Sequence, residues 1–419
     1  MSAPSVSPPP KVGSTYISLM VLAQFGVFMA LTTPLAISLS IRVAQLAPGR
    51  EQYLGYLTGV GALVPLLTGP LMGTWSDRTR SHLGRRRPFI VGGMLLGVVS
   101  LIVMALAPSI LVLGTGWALA QFGWGTTLGG LLSSQADRLP EEQRGKVAGL
   151  GGFAALVAPV VGVILAGTLS ANALMLFLVP GAVGVLSVIL FVCLAGEADS
   201  RALPPAEPLT FRSLLLKYTW SVRRFPDFSL NWLGRFAFYF GLALNTTFTA
   251  FFFASRLGVS VEQVAGTIAA VAGLGVLATA GGALGGGFLS DRLRRRRVFV
   301  LAAGAVYALG AATMALSSSV PLLFAGSLVC SVGLGMFSAV DQALALDVLP
   351  ERETDAGRYL GVFGFAASLP QSVAPFIAPV VLAVGAAGGG EKNYTLLYLV
   401  AAACTLLGGL VILRIKSVR

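Results

Sequence analysis

The chain has 419 residues, of which 55% are hydrophobic and 11% charged, and its mean hydropathy is +0.83. A soluble domain carries about 25% charged residues, so this polypeptide cannot cover itself with a hydrated surface, and lipid must be its solvent. The net charge of +12 does not mark a nucleic-acid binder. Its basic residues fall in short clusters between apolar runs rather than along one wetted face, which is how a membrane protein fixes its orientation.

Residues 1–14 are rich in Pro and Ser and read as a disordered tail. The apolar run that follows is too long for a signal-peptide core and is expected to be retained as the first span. A spanning helix needs about 20 mostly apolar residues. Twelve such spans are expected: 15–40, 53–74, 88–107, 110–135, 147–169 and 173–195, then 229–254, 263–289, 298–317, 321–346, 359–384 and 394–413. Residues 196–228 are polar, basic and proline-bearing and read as a cytoplasmic linker. The stretch from Phe211 to Arg224 could lie on the membrane surface as an amphipathic helix. The expectation is an all-α membrane protein with one six-helix bundle at 15–195 and another at 229–419.

Orientation follows from Lys and Arg. With both termini cytoplasmic, the outer loops hold Arg42, Arg50, Arg256 and Lys392, Arg235 lies inside a span, and the other 24 of the 29 fall on the cytoplasmic side. That asymmetry satisfies the positive-inside rule. The chain also repeats itself. GTWSDR (73–78) after the second span returns as GFLSDR (287–292) after the eighth, and DRLPE (137–141) after the fourth returns as DVLPE (347–351) after the tenth. Two repeats in register, about half a chain apart, indicate a duplicated six-helix unit, the parallel type of repeat with its substrate site near the midplane.

The segment GPLMGTWSDRTRSHLGRRRPFI (69–90) is the most specific in the chain. With AVDQALALDVLP (339–350) and the twelve-span layout, it resembles sucrose transporters and their bacterial relatives, a branch of the major facilitator superfamily near the glycoside-pentoside-hexuronide symporters. The resemblance implies proton-coupled uptake of a sugar or glycoside by alternating access, with spans 1, 4, 7 and 10 lining the cavity. It also exposes a departure. The branch keeps a proton-binding aspartate sixteen residues before the Asp that ends the fourth span. Counting back from Asp137 lands on Gln121, which cannot titrate.

Acidic residues contribute little to topology, so Asp77 and Asp291 are read as gating residues. Each ends a span among arginines, where it can pair with guanidinium groups or a helix N-terminus. Gly73, Arg78, Gly84, Arg85, Arg86, Asp137, Arg138, Arg144, Gly287, Arg292, Asp347 and Arg358 complete the candidate gate, with Gly73 and Gly287 expected to allow close helix approach. Two ionisable residues fall inside spans, where function is the default reading. Arg235 sits about six residues into the seventh span and Asp341 six residues before the end of the tenth. At about 1.5 Å per residue both lie roughly 9 Å deep, so they are expected to meet, with Asp341 the proton carrier and Arg235 its partner.

Candidate sugar contacts are Gln24, Tyr239, Asn245, Gln342, Gln371 and the set Trp117, Gln121 and Trp124, which recurs at i, i+4 and i+7 and so shares one helix face. Cys193, Cys330 and Cys404 lie in apolar runs without metal-ligand spacing, and His82, the one histidine, lies in a loop. No phosphate-binding loop is present. The expected agent is therefore a carrier rather than an enzyme, a monomer in a bacterial inner membrane, with no cofactor beyond a proton as coupling ion and a sugar as small-molecule partner. A facilitative or exporting carrier of another solute is the alternative.

Overall fold

The computed structural model describes residues 11–197, 199–201, 220–351, 355–385 and 392–417. Most of the expected tail and residues 211–219 of the expected surface helix lie outside the described residues. The helices are α1 (Ser14–Thr33), continued through a π-helical turn (Pro34–Ser38) into α2 (Leu39–Leu46), then α3 (Gln52–Arg78), α4 (Arg87–Ala105), α5 (Ile110–Arg138), α6 (Glu141–Thr168) and α7 (Ala173–Leu194). After the linker come α8 (Pro226–Thr247), α9 (Thr249–Leu257), α10 (Ala265–Leu293), α11 (Arg296–Ala315), α12 (Val320–Asp347), α13 (Ala356–Ala383) and α14 (Tyr394–Ile412).

Each expected span corresponds to one helix or one broken helix, with three amendments. The first span runs Ser14–Leu46 and contains the π-turn, which opens at Pro34 because proline has no N–H to donate. The seventh is the pair α8 and α9, bent by 51°. There Thr247 and Thr249 return their hydroxyls to the carbonyls of Ala243 and Asn245 at 2.6 and 3.0 Å, a habit that bends helices. The fourth, α5, has 29 residues but is not one of the ten helices that, among the described residues, are apolar enough to span by composition. Its Gly, Thr, Trp and Gln121 content lowers its apolarity.

By packing, the chain divides into a first unit of Met1–Arg42 with Val64–Ala206 and a second of Val43–Leu63 with Glu207–Arg419. In the first, α1 packs on α6 and α7, and α4 packs on α5 and α7. In the second, α8 packs on α13 and α14, and α11 packs on α12 and α14. The same scheme therefore occurs twice, and it extends to single residues 210 positions apart. A Cβ on Gly116 would meet Met104 at 2.7 Å, and one on Gly326 would meet Met314 at 2.7 Å. Ser109 and Ser319 precede α5 and α12 with matching extended backbones. At the far ends, Arg42 donates to the carbonyl of Ala107, just past α4, at 2.9 Å and Arg256 to that of Ala315, the last residue of α11, at 2.6 Å.

Residues 43–63 join the second unit through close packing. An added Cβ on Gly55 would lie 2.4 Å from the carbonyl oxygen of Pro375 and one on Gly59 2.6 Å from the ring of Phe376. The Tyr56 ring stacks on Phe376 at 6.5 Å.

Candidate functional site

The GTWSDR motif places Ser76 and Asp77 in the last turn of α3, while Arg86 precedes α4 and Asp137 closes α5. Arg86 is the hub. Its guanidinium bonds Asp77 at 2.6 Å, Asp137 at 2.8 Å and the Ser76 hydroxyl at 3.0 Å. Arg85 adds a second bond to Asp137 at 2.8 Å. The Arg86 side chain is 6% exposed. Burial pushes this guanidinium down, but bonding and attraction from Asp137 and Asp77 outweigh it and leave it raised.

A residue that the sequence reading passed over completes this cluster. Glu197, in the linker, accepts the backbone N–H groups of Arg86 and Arg87 at 2.9 and 3.0 Å. These are free donors at the positive end of α4, where a carboxylate is favoured. Gly84 has φ +85°, and a Cβ there would lie 2.4 Å from Glu197 Cδ; glycine satisfies both the left-handed backbone and the space. Ser200 also clasps this loop, accepting from Ser81 N at 2.9 Å and donating to the Thr79 carbonyl at 3.1 Å. An acid just after the sixth span was the available signal, but nothing in the sequence tied it to a loop 110 residues earlier.

The second repeat builds the same device. Arg296 bonds Asp347 at 2.5 Å, Asp291 at 3.2 Å and the Ala343 carbonyl at 2.9 Å. Arg138 holds the end of α7 through the Ala195 and Gly196 carbonyls at 2.7 and 2.6 Å. Arg144 bonds the Leu139 carbonyl at 3.1 Å, and Arg358 bonds Asp355 at 3.1 Å. Arg78 closes α3, and Arg292 is exposed. A Cβ on Gly73 would meet nothing within 4 Å, and one on Gly287 only Ala339 at 3.8 Å. The tight approaches lie instead at pairs such as Gly93 with Gly123 and Gly335 with Thr279.

Inside the second unit Arg235 and Asp341 are joined by a direct ion pair. Asp341 is 0% exposed, and its Oδ1 has no hydrogen-bond partner. The guanidinium lies over the ring of Phe363 at 4.1 Å and over that of Tyr239 at 5.1 Å, so its positive charge is held by two π faces besides the carboxylate. α8 begins at Pro226, so Arg235 stands nine residues in rather than six.

The other polar candidates separate. Gln24 donates to Gln135 at 2.6 Å and ties α1 to α5. Gln121 lines a cavity of about 150 Å³ with Thr68, Ser76, Thr126 and Ser133. Trp117 and Trp124 do not share that position: they are 1% and 0% exposed, and Trp124 fills the space left by Gly97 and Gly184. Asn245 is buried, whereas Gln342 and Gln371 are exposed.

Residues of α2 and α9 and the loops that follow them border a second cavity, of about 490 Å³, within the second unit, with Gln45, Glu51, Ser255, Ser260 and Glu262 in its wall. Burial pushes the Glu51 carboxyl up to about 7, against the pull of Lys392.

Known proteins agree with this architecture. The matched stretches of the family model of the Major Facilitator Superfamily are residues 14–375 and 265–418. A general alpha-glucoside permease of Schizosaccharomyces pombe is 31% identical over 115 residues, covering 26% of this chain and 19% of the permease. Among solved structures, the nucleoside transporter NupG superposes with a TM-score of 0.73 at 13% identity, covering 96% of this chain and 98% of that one. A bacterial homolog of the human lysosomal transporter Spinster, in an inward-facing and unoccupied conformation, gives 0.68 at 19% identity, covering 97% and 99%. At these identities the structures speak for the fold. The doubled bundle, the paired arginine hubs and the family match together make this chain a member of the Major Facilitator Superfamily, a multi-pass membrane transporter.

Proposed function

We propose that the protein carries out proton-coupled uptake of a sugar or glycoside by alternating access, in a bacterial inner membrane and with both termini cytoplasmic. The observation that carries this reading is the Arg235–Asp341 pair, buried in two helices of membrane-spanning length. A carboxylate and a guanidinium at membrane depth are too costly to keep for packing alone. Joined, the pair favours ionised Asp341; parted and desolvated, Asp341 takes a proton. Helix movement then becomes proton binding and release. The sugar assignment draws on the stretch similar to the alpha-glucoside permease and on the amide and hydroxyls around Gln121. The arginine hubs act as the gate's cytoplasmic latches.

Uptake of radiolabelled maltose, sucrose and glucose into proteoliposomes, with and without an acid-outside gradient, tests this. Accumulation of at least one above its outside concentration, lost when the gradient is collapsed, is the expected result. Equilibration unaffected by the gradient would favour the alternative, a facilitative or exporting carrier, to which Gln121 gives weight because it stands where a titratable residue would.

A further inference from the structure

α8 and α12 run antiparallel in a register that can be read from three contacts. Phe228 shares a buried cluster with Ala345, Arg235 pairs with Asp341, and Phe238 stacks on Phe337 at 3.6 Å. Residues 228, 231, 235 and 238 fall at spacings of three and four, so they form one stripe along α8. Asn231 therefore lies in the seam between the Phe228–Ala345 layer and the ion pair. It is 0% exposed, and neither Oδ1 nor Nδ2 of its amide has a hydrogen-bond partner. Arg235 Nε and Asp341 Oδ1 are likewise buried and unpartnered. One seam thus holds four polar atoms, donors and acceptors both, with no hydrogen-bond partner among the described residues.

Buried polar groups are paired with protein or with ordered water in nearly every case, and a buried water needs two to four polar partners. Below this point Phe228, Leu349, Tyr359, Val362 and Phe363 form a buried hydrophobic cluster. We propose that Asn231 is a positioning residue for proton transfer, its amide holding an internal water against Asp341 and Arg235. The inference rests on the proton-carrying reading of Asp341 above. An amide suits the task because it both donates and accepts. It can support the carboxylate through water when Asp341 is ionised and accept from the same water when it is protonated. It carries no charge of its own to compete with Arg235. The charged groups of this seam are Arg235 on its own helix and Asp341 on α12; α13 contributes the rings of Tyr359 and Phe363, and α14 meets α8 here through the uncharged Gly408 and Ile412 beside Gly234.

The test is the pH dependence of gradient-driven uptake in proteoliposomes. Asn231→Leu keeps the branched four-atom side-chain frame and removes the polar atoms, so the ionised carboxylate loses support. The midpoint of uptake against pH should move about one unit higher, a tenfold change in proton affinity. A midpoint equal to that of the unaltered protein would overturn the inference. Should the leucine variant not fold, the near-isosteric pair Asn231→Thr and Asn231→Val repeats the comparison: threonine should keep the original midpoint and valine should shift it, and equal midpoints would refute the role. Asp341→Asn in the same assay separates the two readings. If it leaves accumulation intact, the proton reading itself fails. If it abolishes accumulation while Asn231→Leu leaves the midpoint in place, this inference alone fails.

Discussion

Arg86 and Arg296 stand 210 residues apart and do the same work in the two repeats, yet their surroundings differ. Each joins the Asp ending its repeat's second span to the Asp ending its fourth. The Arg86 side chain is 6% exposed, is reinforced by Arg85 and Ser76, and has its backbone N–H held by Glu197. That of Arg296 is 26% exposed, while the aspartates differ little between repeats, Asp77 and Asp291 being 56% and 65% exposed. Duplication thus preserved the wiring and not the insulation. A buried ion pair depends on its partners far more than an exposed one, so the first repeat's cluster is the more sensitive to loss of its arginine.

The comparison can be broken by substitution. Arg86→Ala leaves two carboxylates facing each other around an empty position and should cost about 3 kcal/mol. Arg296→Ala should cost about 1 kcal/mol or less. Melting of the detergent-purified protein decides between them, and equal losses would contradict the asymmetry. Gly84→Ala should come next, because it strains a residue at φ +85° and drives a methyl into Glu197. Its cost, about 1–3 kcal/mol, should shrink when Glu197→Ala is already present, since half of the conflict is then gone.

The last effect concerns the other end of α3 and depends on pH. Glu51 has its carboxyl raised to about 7 in the packed protein, against about 4.3 when solvated. The packed state therefore binds more proton, and stability declines as pH climbs through that interval and is level above it. Glu51→Gln should raise the melting temperature at pH 8 by a few degrees and leave it unchanged near pH 4. A gain of equal size at both would show that the charge is not the cause.

The sequence carried the membrane fold because a lipid-facing helix advertises its length directly, and the two repeated motifs advertised the duplication. It carried Asp341 and Arg235 for a related reason: a charge within an apolar run stands out. What it could not carry depends on side-chain direction and on distant partners. Trp117, Gln121 and Trp124 share a face by spacing, yet both indoles are buried, that of Trp124 beside Gly97 and Gly184, while the amide reaches a cavity. Glu197 and Asn231 are single polar letters whose importance comes from what lies opposite them, and a period along one helix holds no record of that. The joining of residues 43–63 to the second unit depends on the shapes of Gly55, Gly59, Pro375 and Phe376, not on hydropathy.

The most direct test is transport by Asp341→Asn protein reconstituted in proteoliposomes beside the unaltered protein. If Asp341 carries the coupled proton, the variant should lose accumulation driven by an acid-outside gradient while still exchanging labelled for unlabelled sugar. Gradient-driven accumulation at the original level in the variant would contradict that account.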